Sequence, residues 1–237
     1  LEYTEVLLGK GGGETDKQIF HFADNGGRDV ALRFDLTVPF ARFMAQHYHE
    51  LAIPFKRYHI NKVWRGENPQ KGRFREFYQC DFDIVGLDNT TSDVEILTMM
   101  YASMKALQLD KVSIHIAHRG LFNSFLEHLN IDKESVEILR TVDKLRKIGI
   151  DKTLEILTEL TKSEQTAKDS ISFTTPVEDE EAYETIKRLS ALAGGENEHS
   201  QRLREIYQAL EKLGMANIIT IDPSITRGLD YYTGIVY

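Results

Sequence analysis

Apolar and polar side chains alternate between residues 29 and 35, with Val30, Leu32 and Phe34 on one face and Ala31, Arg33 and Asp35 on the other. A period of two marks a half-buried strand. Thr37 followed by Val38-Pro39 then predicts a helix start, with Thr37 as N-cap and the proline in the first turn, running through Phe43 to about His49. Alternation returns over residues 57–64 and 74–85, separated by Asn68-Pro69 and Gly72, which predicts two paired strands and a polar turn. Along the second strand Arg73, Arg75, Phe77, Gln79, Asp81 and Asp83 project together. Phe74, Tyr78, Cys80, Phe82 and Ile84 project the other way and form the expected core face, with Glu76 as its one exception.

The period then changes. Residues 92–107 show helical spacing through Val94, Leu97, Met100 or Tyr101, and Met104, capped by Ser92 and Asp93. A short strand is predicted at 112–117, ended by Gly120. From Leu121 to about Met215 the pattern is almost wholly helical, with stripes at Val136, Leu139, Val142 and Leu145, at Ile186, Leu189 and Ala193, and at Leu203, Ile206, Leu210 and Leu213. Polar breaks fall near 161–172 and 194–199. Strand patterns return at 218–221 and 229–237. Strands outside and helices inside predict an α+β fold, a mostly antiparallel sheet flanked by helices with an inserted all-helical domain. The expected boundaries are 1–120 for the first part of the core, 121–216 for the insertion and 217–237 for the return strands.

Composition narrows the class. Over 237 residues, 41% apolar and 28% charged content is ordinary for a soluble globular protein. No apolar run approaches the roughly 20 residues of a membrane helix, and no signal-peptide pattern opens the chain, so the cytoplasm is the default compartment. The single Cys80 excludes an internal disulfide framework and a Cys-rich zinc site. Leu1 is not an initiator Met, and both ends read as trimmed. The net charge of −8 argues against a nucleic-acid-coating protein. Residues 56–75, however, hold Lys56, Arg57, Lys62, Arg65, Lys71, Arg73 and Arg75 against Glu67 alone, seven cations to one anion and a local balance of +6. That concentration suits phosphate binding at one place.

Three clusters carry candidate chemistry. Arg65 and Arg73 flank the hairpin turn, where bidentate guanidinium groups suit phosphate, and Phe77 on the same face is placed to stack on a purine; an exposed ion-pair surface with Glu67 and Glu76 is the plainer alternative. Gln79 and Asp83 lie further along that face, and Asp35 and Thr37 on another segment. Two carboxylates and an amide suit an ammonium group and a ring N–H, although each alone is more often solvated. The third cluster is Arg227-Gly-Leu-Asp-Tyr-Tyr232, in which Tyr231 and Tyr232 point to opposite faces of a strand. Two other features count for less. The glycines at 9 and 11–13 lack a following Gly-Lys-Ser/Thr and read as a surface loop. The pairs His115 and His118, or His47 and His49, have no carboxylate or thiolate spacing to support a metal site.

Together these clusters resemble the histidyl-tRNA synthetase family of class II aminoacyl-tRNA synthetases. Residues 65–86 are similar to that family's motif 2 almost throughout, the Gln79-Cys80-Asp81-Phe82-Asp83 run included. Asp35-Leu36-Thr37 resembles its histidine-binding segment, and Arg227-Gly-Leu-Asp-Tyr-Tyr-Thr-Gly234 its histidine-specific signature. The resemblance implies a class II synthetase-like core with the helical block as its insertion domain. It implies ATP as substrate with Mg2+ on the nucleotide, and histidine, ATP and tRNA(His) as partners of a cytoplasmic homodimer.

Position by position, the resemblance implies that Asp35 and Thr37, with Leu36 between them, bind the substrate α-amino group. Arg65 holds the carboxylate and α-phosphate, Glu67 and Phe77 the adenine, and Arg73 the outer phosphates. Gln79 and Asp83 meet the α-amino group and the pocket interior, Arg227 the α-phosphate, and Tyr231 and Tyr232 the imidazole. Arg65 and Arg227 are thus the expected catalytic pair. Asp83 stands where some members carry Glu. The family's third motif and anticodon-binding domain are expected beyond Tyr237, and residues 1–237 alone are expected to be weakly active or inactive. Two rival readings are the synthetase-like regulatory subunit of ATP phosphoribosyltransferase and a synthetase-like sensor domain of a stress kinase. Retention of Arg65, Arg73 and Arg227 favours the ligase over the first.

Overall fold

A computed structural model describes residues 1–8, 18–142, 144–225 and 233–237. The chain divides into two compact units, Leu1–Asp88 and Asn89–Tyr237. The first holds β1 (Glu2–Tyr3), α1 (Thr4–Leu8), β2 (His21–Ala23), β3 (Asp29–Ala31), α2 (Thr37–His47), a 3-10 turn (Tyr48–Glu50), β4 (Phe55–Trp64) and β5 (Glu76–Val85). β3 lies between β1 and β2, antiparallel to both. β4 and β5 form a long antiparallel hairpin in which Arg57 faces Asp83, Asn61 faces Gln79, Val63 faces Phe77 and Trp64 faces Glu76.

The strand expected over 29–35 ends at Ala31, with one further bond from Leu32 N–H to the Phe20 carbonyl at 2.8 Å. Beyond it the chain leaves β2 and runs along the end of β4 instead. Trp64 N–H donates to the Arg33 carbonyl at 3.0 Å, and Arg33 Nε donates to the Lys62 carbonyl at 2.7 Å. α2 then starts where predicted, but Thr37 is its first residue and not its cap; Leu36 stands at the N-cap, and Asp35 Oδ1, one residue earlier, accepts from Val38 N–H at 3.0 Å. That carboxylate satisfies a first-turn donor and complements the positive helix end.

The expected core face of β5 is corrected. Phe74 is 69% and Tyr78 66% exposed, and Cys80, read as an inert core residue, is exposed as well. On β4, Tyr58 and Ile60 share that uncovered face. The opposite, polar face is the covered one, because the 33–36 segment and α2 lie on it. Glu76, the exception on the apolar face, takes the Lys62 ammonium on Oε1 at 2.6 Å and the Trp64 indole N–H on Oε2 at 2.9 Å. β5 ends at Gly86, where φ is +90° and a Cβ would stand 2.1 Å from Ile53 Cγ2, so only glycine fits.

The second unit contains α3 (Thr90–Ala106), β6 (Ile114–His118), α4 (Arg119–His128), α5 (Ser135–Val142), α6 (Leu145–Ile148), α7 (Ile150–Thr161), α8 (Glu164–Thr174), α9 (Ala182–Leu192), α10 (Glu198–Lys212), β7 (Ile219–Ile221) and β8 (Ile235–Val236). β6 sits between β7, parallel to it, and β8, antiparallel. Antiparallel pairing therefore dominates, and the α+β class is as expected. One continuous core runs from Leu97 through Phe122, Phe125 and Phe173 to Leu203, Ile206 and Ile221.

Two details of this unit differ from the sequence reading. α3 is capped by Asn89, whose side chain accepts from Ser92 N–H at 3.0 Å, in place of Ser92 and Asp93. The polar break expected at 161–172 contains α8, started by the Ser163 side chain accepting from Thr166 N–H. The division between units falls at Asp88/Asn89, and Leu97 of α3 and Ile114 and Ile116 of β6 belong to the core of the second unit.

Candidate active site

The site residues of the first unit gather on the covered face of the β4–β5 hairpin. Arg65 follows β4 and is half-buried. Its Nε donates to the Phe34 carbonyl at 3.3 Å, and its guanidinium carbon lies 4.4 Å from the Phe34 ring centre and 5.1 Å from that of Phe77. Its backbone N–H closes the hairpin on the Arg75 carbonyl at 2.9 Å. Two ring faces and a carbonyl thus hold a planar cation in one orientation, which is how an arginine is pre-set for an anion.

Deeper on that face are Gln79, Asp81 and Asp83 of β5 with Arg57 and His59 of β4. Arg57 Nε lies 2.8 Å from Asp83 Oδ2. The N–H is not aimed along that line, so the contact is an ion pair more than a directed hydrogen bond. Arg57 Nη2 also donates to the Leu36 carbonyl at 3.2 Å, and its guanidinium carbon sits 3.9 Å over the Phe40 ring. Burial pushes the Asp83 carboxyl up, against the pull of Arg57. Burial pushes Asp81 up too, helped by the negative charge of Asp83. Burial lowers His59, and the charges of Arg57 and Arg33 add to the effect. Gln79 Oε1 is out of solvent and, among the described residues, accepts no hydrogen bond. An unfilled acceptor beside two carboxylates is poised for a donor-rich cationic ligand.

The 35–37 turn borders this face. Leu36 is 0% exposed, so it serves the site through its backbone and packing, while Thr37 is exposed and Asp35 half-buried. At the turn of the hairpin, Glu67 and Arg73 form a loose pair, Oε2 to Nη1 at 3.5 Å, and Arg75 Nε donates to the Glu67 carbonyl at 3.2 Å. The structure therefore brings together Asp35, Leu36, Thr37, Arg65, Phe77, Gln79 and Asp83, with Glu67 and Arg73 at the rim. Arg227, Tyr231 and Tyr232 lie outside the described residues, as does the glycine-rich stretch at 9–13.

Sequence reasoning counted Arg57 only among the phosphate-suited cations and gave Arg33 and His59 no role. The usable signal was the hairpin register, which sets Arg57 directly opposite Asp83. The histidine pairs weighed for a metal go elsewhere: His115 Nδ1 contacts Asp222 Oδ2 at 2.8 Å, and His47 Nδ1 contacts Glu50 at 3.0 Å. Among the described residues no three His, Cys, Asp or Glu side chains cluster to hold an ion.

The family model described as histidyl-tRNA synthetase matches residues 1–237. The chain belongs to the histidyl-tRNA synthetase family. A protein named histidine–tRNA ligase from Treponema denticola is 52% identical over 241 residues, covering all of this chain and 54% of that protein. The chain thus spans about half the length of the curated relatives it matches. A crystal structure of histidyl-tRNA synthetase from Nostoc sp. PCC 7120 superposes with a TM-score of 0.81 at 28% identity, covering 99% of this chain and 54% of that one. The fold alone is shared with a Bacillus halodurans structure titled ATP phosphoribosyltransferase regulatory subunit/histidyl-tRNA synthetase, with a TM-score of 0.83 at 22% identity over 99% of this chain and 60% of that one.

Proposed function

We propose that this chain is the catalytic-domain portion of a histidine–tRNA ligase, which activates histidine with ATP to histidyl-adenylate and passes the acyl group to tRNA(His). The observation that carries this reading is the Arg65 guanidinium held between Phe34 and Phe77, on the same hairpin face as Gln79 and Asp83. A carboxylate of histidine attacks the α-phosphorus of ATP, forming one O–P bond while the bond to pyrophosphate breaks. The two anions repel each other. Arg65 offsets the charge that develops, and Arg227 is its proposed partner in that role. Phe77 offers a ring to adenine beside Glu67, and Arg73, exposed at the turn, meets the outer phosphates. Gln79, Asp83, Asp35 and Thr37 take the ammonium group and the pocket interior, with Leu36 shaping the turn and Tyr231 and Tyr232 reading the imidazole. Mg2+ enters with ATP as part of the substrate. Rejection of other amino acids follows from buried polar groups such as Gln79 Oε1 that only the right side chain satisfies.

On this reading the protein is a cytoplasmic homodimer and residues 121–216 are the insertion domain. No helix among the described residues is long and apolar enough to cross a membrane. The regulatory-subunit alternative has less support, since relatives 46–52% identical to this chain are named histidine–tRNA ligases. The test is ATP–pyrophosphate exchange by the intact protein with each amino acid in turn. Exchange with histidine alone is expected, whereas exchange with none, by properly folded protein, sinks the reading. Residues 1–237 by themselves are expected to exchange far more slowly.

A further inference from the structure

We propose that Arg57 is a positioning residue for histidine: it holds the Asp83 carboxylate and the Leu36 carbonyl on one guanidinium, so that the 35–37 turn and the end of β5 meet the substrate ammonium as one rigid acceptor set. This rests on the proposed reading of Asp35, Thr37 and Asp83 as the histidine site. Nothing in the sequence ties residues 36 and 83 to each other. In the structure they are joined through Arg57, which reaches Leu36 O at 3.2 Å and Asp83 Oδ2 at 2.8 Å. Its side chain is only 12% exposed, and its guanidinium carbon sits 3.9 Å over the ring of Phe40 of α2, which in turn stacks on Phe55 of β4.

A surface arginine has many rotamers. This one has a ring beneath it, a carbonyl at one end and a carboxylate at the other, so it is fixed by three elements of the unit. Arg57 further pulls the Asp83 carboxyl toward its ionised form. Burial, with Asp81 alongside and Asp35 near Asp81, favours the neutral acid, while Arg57 and, when protonated, His59 favour the carboxylate. Arg33 is the other cation at this cluster and acts on His59.

The test uses the intact protein as parent, Arg57→Met and Arg57→Lys. Histidine binding is titrated calorimetrically from pH 5 to 8, and the KM for ATP is taken from pyrophosphate exchange. Arg57→Met keeps the apolar stem over Phe40 but removes the charge. It is expected to weaken histidine by about tenfold or more, as when one partner of a buried charge pair is lost, with the KM for ATP unchanged. Removing the cation lets the Asp83 pKa rise, so the acid limb of histidine binding moves to higher pH. Ionisation of the ligand itself is common to all variants and cancels in the comparison. Arg57→Lys is expected to return the acid limb to its parental position while recovering only part of the affinity, because one ammonium cannot serve both oxygens. Parental affinity in Arg57→Met overturns the inference, as does an equal loss for histidine and ATP with the acid limb unmoved. Should Arg57→Met not fold, Arg57→Lys decides: a loss confined to histidine supports the inference and an equal loss for both substrates overturns it. Absence of histidine binding by the parent overturns the functional reading itself, which separates the two failures.

Discussion

The guanidinium carbon of Arg65 lies 4.4 Å over the centre of the Phe34 ring, with Arg65 Nε donating to the Phe34 carbonyl at 3.3 Å. The residue proposed to meet the α-phosphate is therefore oriented by the segment that leads into the proposed histidine-binding turn, and the two halves of the reaction share one scaffold.

Arg65→Lys keeps the charge but loses the planar fork and the stacking. Histidine-dependent pyrophosphate exchange is expected to fall by about 100-fold or more, mainly in kcat. Steady-state kinetics on the intact protein check this, and a change limited to KM would argue against a role in the transition state.

Asp81 is half-buried beside Asp83, and both carboxyls are pushed up. A carboxyl whose pKa is raised on folding contributes stability below its unfolded value, and that contribution is lost as pH rises through the folded value. Asp81→Asn removes the ionisation altogether. Its melting temperature is expected to exceed that of the parent at pH 7, with the gap closing as pH falls toward 4. A constant gap across that range, followed by thermal melts at several pH values, would contradict the assignment.

Gly86→Ala combines a left-handed φ with a Cβ 2.1 Å from Ile53 Cγ2. A loss of about 2 kcal/mol or more is expected from chemical denaturation. Adding Ile53→Ala relieves the clash but not the strain, so only part of the loss should return.

Asn89→Ala leaves the Ser92 N–H at the start of α3 without its side-chain acceptor. A cost of about 1 kcal/mol is expected, and Asn89→Ser should recover most of it. Ser92→Ala, at the position the sequence pattern favoured as the cap, also removes the Ser92 Oγ–Asn89 O bond at 2.7 Å and separates the two contributions.

The hairpin was legible because period two holds over ten residues of each strand, and β4 and β5 lie close to where alternation put them. Which of its faces would be covered was not legible. Tyr78 and Cys80 look like core by side-chain type, yet coverage is decided by where a distant segment lies, and the Arg33–Leu36 segment lies on the polar face. Helix caps failed for a related reason: Asp35 and Thr37, or Asn89 and Ser92, are all good caps by chemistry, and only backbone geometry chooses between them. α8 was missed because Thr, Ser, Lys and Gln fill Glu164–Thr174 while its buried positions, Ala167, Ser170, Phe173 and Thr174, include just one large apolar side chain. The site residues proposed on the hairpin come from its resemblance to motif 2. The positioning role of Arg57 was not legible, since the sequence showed it only as one of seven cations between residues 56 and 75.

The Arg33–Leu36 segment takes its anchoring bonds from positions 29 and 31 residues further along. Its shape therefore depends on the end of β4, and a chain in which residues 62–65 are displaced loses the bonds that hold the proposed binding turn. Once closed, the Trp64 amide is tied to a carbonyl outside its own hairpin, so its exchange with deuterated solvent reports the opening of that seam. The ordering cost is met during folding, and the ligand arrives at a surface already set.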